Sequence, residues 1–312
     1  MNSLANKTIF TMFVVSLVGV IYQTTKDKIE GLRKKLSELA DGNEKAMNEI
    51  AMAEIAEMVY NSNAIENSTL TLEDTENILS GNVFDRKVNV REVYEAKNLA
   101  TITETLLKKP AKKLSVKLIL DLHKALLTNI DDNIAGRFRH GKEWVRVGNH
   151  LGANPSFVEN LMQELIDGYN RNKDGYFLAR IARFHAEFEI IHPFVDGNGR
   201  IGRVLINLQL INAGWPPIII QNKSKHKEYY PLFNDYPVTL KSGGFTDLFA
   251  GLLQEAFHKR ITLLTAKKIV PVPLWASQNG VKSNIAANKA KRQTIPAFRL
   301  REKWMIDEGY RP

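Results

Sequence analysis

The sequence predicts a mainly α-helical chain with one small β-hairpin and a small basic module at its C-terminus. Three observations carry this. Apolar residues recur at helical spacing through most of the first 265 positions. One stretch, Gly136 to Asn149, breaks that period with Phe138, Trp144, Val145 and Val147 among turn formers. The excess positive charge lies at one end: Lys259 to Pro312 holds 12 Lys and Arg against 3 Asp and Glu, while the preceding 258 residues hold 31 of each. The 312 residues are 44% hydrophobic and 25% charged, enough for one large core with one or two small modules. There is no cysteine, which excludes disulfides and thiolate metal sites.

In chain order, residues 1–25 come first. Ile9 to Tyr22 is a run of 14 residues without a charge. A spanning helix needs roughly 20 apolar residues, so this run is short for one, and no small-x-small cleavage site follows it. An anchor, a signal, a buried helix and an upstream extension of the start all fit. Membrane association of a cytoplasmic enzyme is the expectation adopted here. Lys26 to Leu39 is charged and amphipathic. Glu44 to Tyr60 carries Met47, Ile50, Ile55 and Met58 at helical spacing, and Asn61-Ser62-Asn63 is expected to break it. Thr71 with Asp74 forms a capping box opening a helix that Gly81 ends. Val90 to Leu107, Ser115 to Leu127, Phe157 to Tyr169, Phe177 to Ile191 and Arg200 to Asn212 follow as helices, the last stopped by Gly214 and Pro216-Pro217. Tyr229 to Phe233 and Phe245 to Leu264 complete the body. Val270-Pro271-Val272-Pro273 reads as a linker. The expected units are therefore residues 1–25, N-terminal helices 26–114, a catalytic core 115–269 and a module 270–312.

The chemistry concentrates between His192 and Arg203. Pro193 ends the helix at His192, and Gly197 and Gly199 give the following loop backbone freedom. A glycine loop running into a helix N-terminus aims several N–H groups at one spot, where the helix dipole favours an anion. Arg200 and Arg203 sit three apart in the first turn, a position unfavourable for cations unless an anion lies beside them. His192 can accept a proton at neutral pH. Asp196 is a hard oxygen ligand suited to Mg²⁺ bridging phosphates. Residue types alone thus point to a phosphate site with a general base and a metal ligand, hence phosphoryl or nucleotidyl transfer to a hydroxyl.

The run His192-Pro193-Phe194-Val195-Asp196-Gly197-Asn198-Gly199-Arg200-Ile201-Gly202-Arg203 resembles the signature of the Fic family at every defined position. The likeness extends over roughly residues 45–265. It implies a Fic-type helical core with a hairpin flap, and a nucleotidyltransferase that moves AMP from ATP to a Tyr, Thr or Ser hydroxyl of a target protein. Position by position it implies His192 as base and Asp196 as Mg²⁺ ligand. Gly197, Asn198, Gly199 and Arg200 are expected around the phosphates, with Arg203 on the γ-phosphate and Phe194 buried beneath the loop. Val145, Arg146 and Val147 are expected to align the target by strand addition, and Tyr229 and Tyr230 to lie near the adenine. Asn234-Asp235-Tyr236-Pro237 departs from the family pattern, where a helix often continues. Self-modification and a homodimer are compatible with this reading.

Ser62-Asn63-Ala64-Ile65-Glu66-Asn67 resembles the family's inhibitory motif. The resemblance implies that Glu66 pairs with Arg203, neutralising the cation meant for the γ-phosphate and repelling the phosphate itself. The remaining histidines weigh less: His185 reads as a core residue, His123 and His226 as structural or exposed. The segment Trp275 to Asp307 is similar to excisionase-type winged helix-turn-helix domains, with Lys289, Lys291, Arg292, Arg299 and Arg301 as candidates for phosphate contacts with DNA through residues 270–312. The competing readings are a DNA-binding regulator with a nucleotide-sensing core, and a Fic member with a different donor or an AMP-removing activity.

Overall fold

The computed structural model describes residues 21–82, 86–109, 113–147, 150–239 and 242–311. The apolar run expected at Ile9 to Tyr22 lies almost wholly outside these residues. No helix among the described residues is long and apolar enough to cross a membrane.

The body is a stack of helices. In order these are α1 Gln23–Ala40, α2 Glu44–Ile65, α3 Leu72–Ser80, α4 Val90–Lys108 and α5 Val116–Leu127. After a two-strand hairpin (β1 Arg146–Val147, β2 His150–Leu151) come α6 Val158–Arg171, α7 Phe177–Ile191 and α8 Asn198–Asn212. A short π-helical turn, Lys225–Tyr229, leads into α9 Tyr230–Thr239, and α10 Gly243–Thr265 closes the body. Two apolar cores flank the central pair α7 and α8. Phe184 and Phe188 of α7 and Ile201 and Leu205 of α8 face the core built with α2 to α6. Ile181 and Ala186 of α7 and Ile206 and Leu210 of α8 face the core built with α1, α9 and α10. A helix apolar all round is buried. The loop between α7 and α8 is thereby anchored by the two most enclosed helices of the fold.

Three local expectations change. Asn61-Ser62-Asn63 does not break α2, which runs on to Ile65. Two of the three polar residues find partners within and outside the helix: Asn61 Nδ2 donates to the Glu57 carbonyl, Asn61 Oδ1 accepts from the Asn222 N–H at 3.0 Å, and Ser62 accepts from Arg203. Around Asn234-Asp235-Tyr236-Pro237 the chain stays helical as α9. The hairpin is also shorter than expected, with register Arg146↔Leu151 and Val147↔His150. The residues before it form turns tied by the Arg137–Glu143 ion pair at 2.7 Å. The capping box at Thr71 and Asp74, and the left-handed Gly81 that ends α3, are present as read from the sequence.

The C-terminal residues form a third core around Trp275. It contains β3 Ile269–Pro271, α11 Val272–Gln278, α12 Ser283–Lys291, β4 Phe298–Leu300 and β5 Lys303–Asp307, with antiparallel strand order β3-β5-β4. The Val270–Pro273 stretch is therefore an edge strand and a first helical turn, the two places where proline costs least. The module packs against the body. Arg299 forms a forked pair with Glu255 of α10, Lys291 pairs with Glu228 at 2.5 Å, Arg301 pairs with Glu76 of α3, and Gln293 bonds His258 at 2.7 Å. Three of the five cations named as DNA contacts are engaged in these pairs; Arg292 is exposed and Lys289 half-buried.

Burial pushes His185 and His258 down to about 4. An unfolded histidine titrates near 6.5. Between those values the unfolded chain binds protons that the folded chain does not, so stability falls as pH drops through that window. The loss by pH 4 is on the order of 1–3 kcal/mol per histidine. Urea midpoints should be lower at pH 5 than at pH 7.5, and equal midpoints would show that these rings protonate within the fold.

Candidate active site

His192 caps α7 with left-handed backbone, φ 51°. That conformation is uncommon for a residue with a side chain and persists only where surroundings enforce it. Arg139 does so. It is 1% exposed, and its guanidinium lies among backbone carbonyls. Nε donates to the His192 carbonyl at 2.7 Å, Nη2 to those of Ile191 at 3.0 Å and of Ala153, and Nη1 to that of Glu143 at 3.3 Å. The Arg139 N–H also donates to the Pro193 carbonyl at 2.9 Å. Arg139 thus ties the hairpin flap, residues 143–153, to the turn that carries His192. Burial lowers its affinity for a proton, yet a guanidinium remains charged.

The His192 ring meets only acceptors at Nδ1: the Glu189 carbonyl at 3.3 Å and the Glu189 carboxylate at 3.6 Å. Nδ1 therefore carries the proton, and Nε2 is the free base. Glu189 itself is buried, which opposes ionisation, but His192 and His185 hold its carboxyl below the usual carboxylate range. Its Oε1 lies against the backbone of Gly202, where an added Cβ would stand 2.2 Å away. Gly202→Ala is therefore expected to destabilise the protein by about 1–3 kcal/mol, since neither Glu189 nor the helix can shift freely; an unchanged melting temperature would contradict this packing.

Beneath the loop, Phe194 is fully buried and stacks on His123 with centroids 3.7 Å apart. His123 accepts from the Gly136 N–H at Nδ1 and so donates from Nε2 to the Asp196 carbonyl at 3.0 Å. Burial lowers it to about 4, which keeps the ring neutral for that role. The Asn198 side chain turns inward and exchanges two 2.8 Å bonds with the Phe194 backbone. It braces the loop from inside, while Gly197, at φ 81°, makes the turn into α8.

Asp196 is the outward-facing acid of the loop. Its Oδ2 meets Arg91 of α4 at 2.6 Å; its Oδ1 meets Arg200 at 3.0 Å and its neighbour's N–H, that of Gly197. Glu95 closes a neutral square, pairing with Arg91 at 3.1 Å and with Arg200 at 2.9 Å. Burial opposes ionisation of Asp196, but Arg200, the Gly197 amide and Arg91 hold it below the usual carboxylate range. Among the described residues no group of three His, Cys, Asp or Glu could hold a metal ion.

Arg203 lies one turn further along α8. Nε donates to Ser62 Oγ at 2.9 Å; Nη2 donates to the Ser62 carbonyl at 2.8 Å and to Glu66 Oε1 at 2.8 Å. A Cβ on Gly199 would stand 2.2 Å from Glu66 Oε1. The Glu66 carboxylate thus rests on the first turn of α8, where the dipole favours an anion. The two cations that seemed misplaced at a helix start are matched by carboxylates of the chain itself. Two groups from the π-helical turn and α9 hold the end of α2 with three bonds: Lys225 Nζ donates to the Ala64 and Ile65 carbonyls at 2.9 and 3.0 Å, and Tyr230 donates to the Ile65 carbonyl at 2.8 Å. Tyr229 is buried in an aromatic cluster and bonds His185 at 2.7 Å. On the flap, Arg146 and Trp144 are exposed and Val145 half-buried; the side chain of Val147 lies outside the described residues.

Glu189, Glu95, Arg91 and Lys225 are candidate site residues that sequence reasoning did not single out. Glu95, Arg91 and Lys225 act through partners far along the chain, while Glu189 meets His192 three residues on. The one available signal was Arg139, in the Gly136-x-Phe138-Arg139 stretch.

A family model described as Fic/DOC family matches residues 113–210. Curated relatives include "Protein adenylyltransferase Fic" of Aedes aegypti, 29% identical over 84% of this chain and 52% of its own, and "Protein adenylyltransferase fic-1" of Caenorhabditis elegans, 33% identical over 55% and 34%. The chain spans about half or less of the length of these relatives. Among solved structures, a Fic-domain-containing signaling protein from Bacteroides thetaiotaomicron superposes with a TM-score of 0.67 at 24% identity, covering 76% of this chain and 96% of that one. Fic-1 of Caenorhabditis elegans superposes with a TM-score of 0.64 at 26% identity, covering 76% and 71%. Residues 113–210 thus match the Fic/DOC family.

Proposed function

We propose that this chain is a protein adenylyltransferase, transferring AMP from ATP to a hydroxyl side chain of a target protein, and that Glu66 holds it in check. The observation that carries the reading is the Glu66 carboxylate lying on Arg203 and on the N-terminus of α8, within one loop of a histidine with a free Nε2. An anion position beside a base suits attack of a hydroxyl on a phosphate. The curated relatives named adenylyltransferases support AMP as the transferred group.

In this reading the target segment adds to the flap strand Arg146–Val147 by backbone pairing. His192 Nε2 takes the proton of the target hydroxyl as its oxygen bonds to the α-phosphorus. The bond to the bridging oxygen breaks, and pyrophosphate leaves. The N–H groups of Gly197 to Gly199 and the α8 dipole hold the phosphate charge, and Arg203, once freed, meets the γ-phosphate. Asp196 fits Mg²⁺ as a single carboxylate beside phosphates, because Mg²⁺ takes one or two carboxylates and completes its shell with phosphate and water. Bound there, the ion would neutralise phosphate charge, and the half-exposed Arg91 would yield its place on Oδ2 while keeping Glu95.

Labelled ATP on a cell lysate tests the reading. With Glu66→Gly protein, label from α-³²P ATP should attach to protein and label from γ-³²P ATP should not. The reverse pattern would make the chain a kinase, and no transfer from either would leave a nucleotide-sensing regulator.

A further inference from the structure

The turn joining β4 and β5 is made by Arg301 and Glu302, both with positive φ, 48° and 65°. Two-residue hairpin turns of this form ordinarily carry Asn-Gly, because residues with a Cβ are disfavoured there. Strained backbone of this kind persists where contacts over-determine it. Here the contacts lead to α2, the helix that ends in Glu66. The Arg301 N–H donates to Glu57 Oε1 at 2.5 Å, and the Arg301 guanidinium pairs with Glu76 of α3. Glu302 accepts from the Tyr60 hydroxyl at 3.1 Å and pairs with Lys223 at 2.7 Å.

These partners run straight into the brake. Glu57, Tyr60 and Asn61 occupy the turn of α2 just before Ser62. Lys223 lies two residues before Lys225, whose ammonium caps the carbonyls of Ala64 and Ile65 and reaches Asn67 Oδ1 at 3.2 Å. A cation on the last carbonyls of a helix is favourable twice over, through hydrogen bonds and through the dipole. The wing tip therefore touches both the helix that delivers Glu66 and the segment that clasps its end. The rest of the module is held elsewhere, on α10, by Arg299 with Glu255 and by Gln293 with His258. Loss of the tip contacts thus leaves the module docked.

We propose that the wing tip Arg301-Glu302 is a latch on α2, so that the C-terminal module sets how firmly Glu66 holds Arg203. This deepens the reading of Glu66 as an inhibitor of AMP transfer and rests on it. Whatever draws the wing tip away would loosen α2 over its final turns and release the phosphate site.

The test uses the full chain with Arg301→Asn and Glu302→Gly together. These residues suit the turn, so folding is preserved, while the ties to Tyr60, Lys223 and Glu76 are removed. With Glu66 intact, transfer from α-labelled ATP should rise several-fold over the parent, and the amides of residues 62–66 should exchange faster with deuterium. Tyr60→Phe should move both in the same direction by less. Combined with Glu66→Gly, the pair should add nothing, because the latch acts only through Glu66. Parental rate and parental exchange at residues 62–66, in a preparation where Glu66→Gly labels strongly, overturn the latch. A further rise on top of Glu66→Gly also overturns it. If Glu66→Gly transfers no AMP, the transferase reading fails, and the exchange rates alone decide whether the wing tip holds α2.

Discussion

Replacing Glu66 with glycine is expected to raise the initial rate of AMP transfer on the order of 10- to 100-fold, the effect of relieving roughly 1.4–3 kcal/mol of inhibition. The carboxylate occupies the first turn of α8 and one guanidinium nitrogen of Arg203. A triphosphate entering there meets a like charge and a cation already neutralised. Removing the side chain frees both the space and the charge. The fold should tolerate the change. Glu66 sits at the C-cap of α2 with φ −87° and ψ 20°, which glycine adopts without cost, and Arg203 keeps both bonds to Ser62. Lys225 and Tyr230 still hold the helix end through main-chain carbonyls. Only Glu66 is half-exposed while Arg203 is buried, so loss of the pair costs more than a surface pair would, on the order of 1–3 kcal/mol of stability. The measurement is incorporation of α-label into lysate proteins and into the chain itself. A rate equal to that of the parent would show that Glu66 does not limit the reaction.

How much of this was legible before the structure depends on the range of the interactions involved. Helix periodicity, the capping box at Thr71 and the loop from His192 to Arg203 are local patterns, and each appears where the sequence puts it. The helical class and the small hairpin followed from the same short-range signals. The misplaced elements have a common cause. Asn61-Ser62-Asn63 disfavours a helix by itself, but Asn222 and Arg203 supply the partners that keep it helical. Val270-Pro271-Val272-Pro273 looks extended and independent, yet pairing of Ile269 to Pro271 with β5 turns it into an edge strand. Within the site, the meeting of Arg203 with Glu66, 137 positions apart, was legible only through resemblance to a family, and the bonds to Ser62 were not foreseen. The support beneath the loop left little pattern beyond the Gly136-x-Phe138-Arg139 stretch. Arg139 serves four backbone carbonyls, which carry no sequence identity, and His123 holds the carbonyl of Asp196 from another helix. The charge count was legible as a number but not as a partner: Lys291, Arg299 and Arg301 answer acids of the body.

In the released background, Glu66→Gly, the further change His192→Ala is expected to lower transfer by about 10²–10⁴-fold, the usual contribution of a positioned general base. The argument rests on which nitrogen is free. Glu189 presents only acceptors to Nδ1, so the ring is held with its proton there and its lone pair at Nε2. The ring is 19% exposed, enough to meet a hydroxyl delivered along the flap and too enclosed to turn freely. Alanine removes the base without removing its setting. The backbone at position 192 stays left-handed, because Arg139 grips the carbonyl and not the side chain. Nucleotide affinity should therefore change little while the transfer rate collapses, a separation that a merely structural histidine would not produce. Melting temperature and nucleotide binding, measured on the same protein, distinguish lost chemistry from lost fold. Label that persists at the parental rate would remove His192 as the base and move the proton acceptor to water or to the target itself.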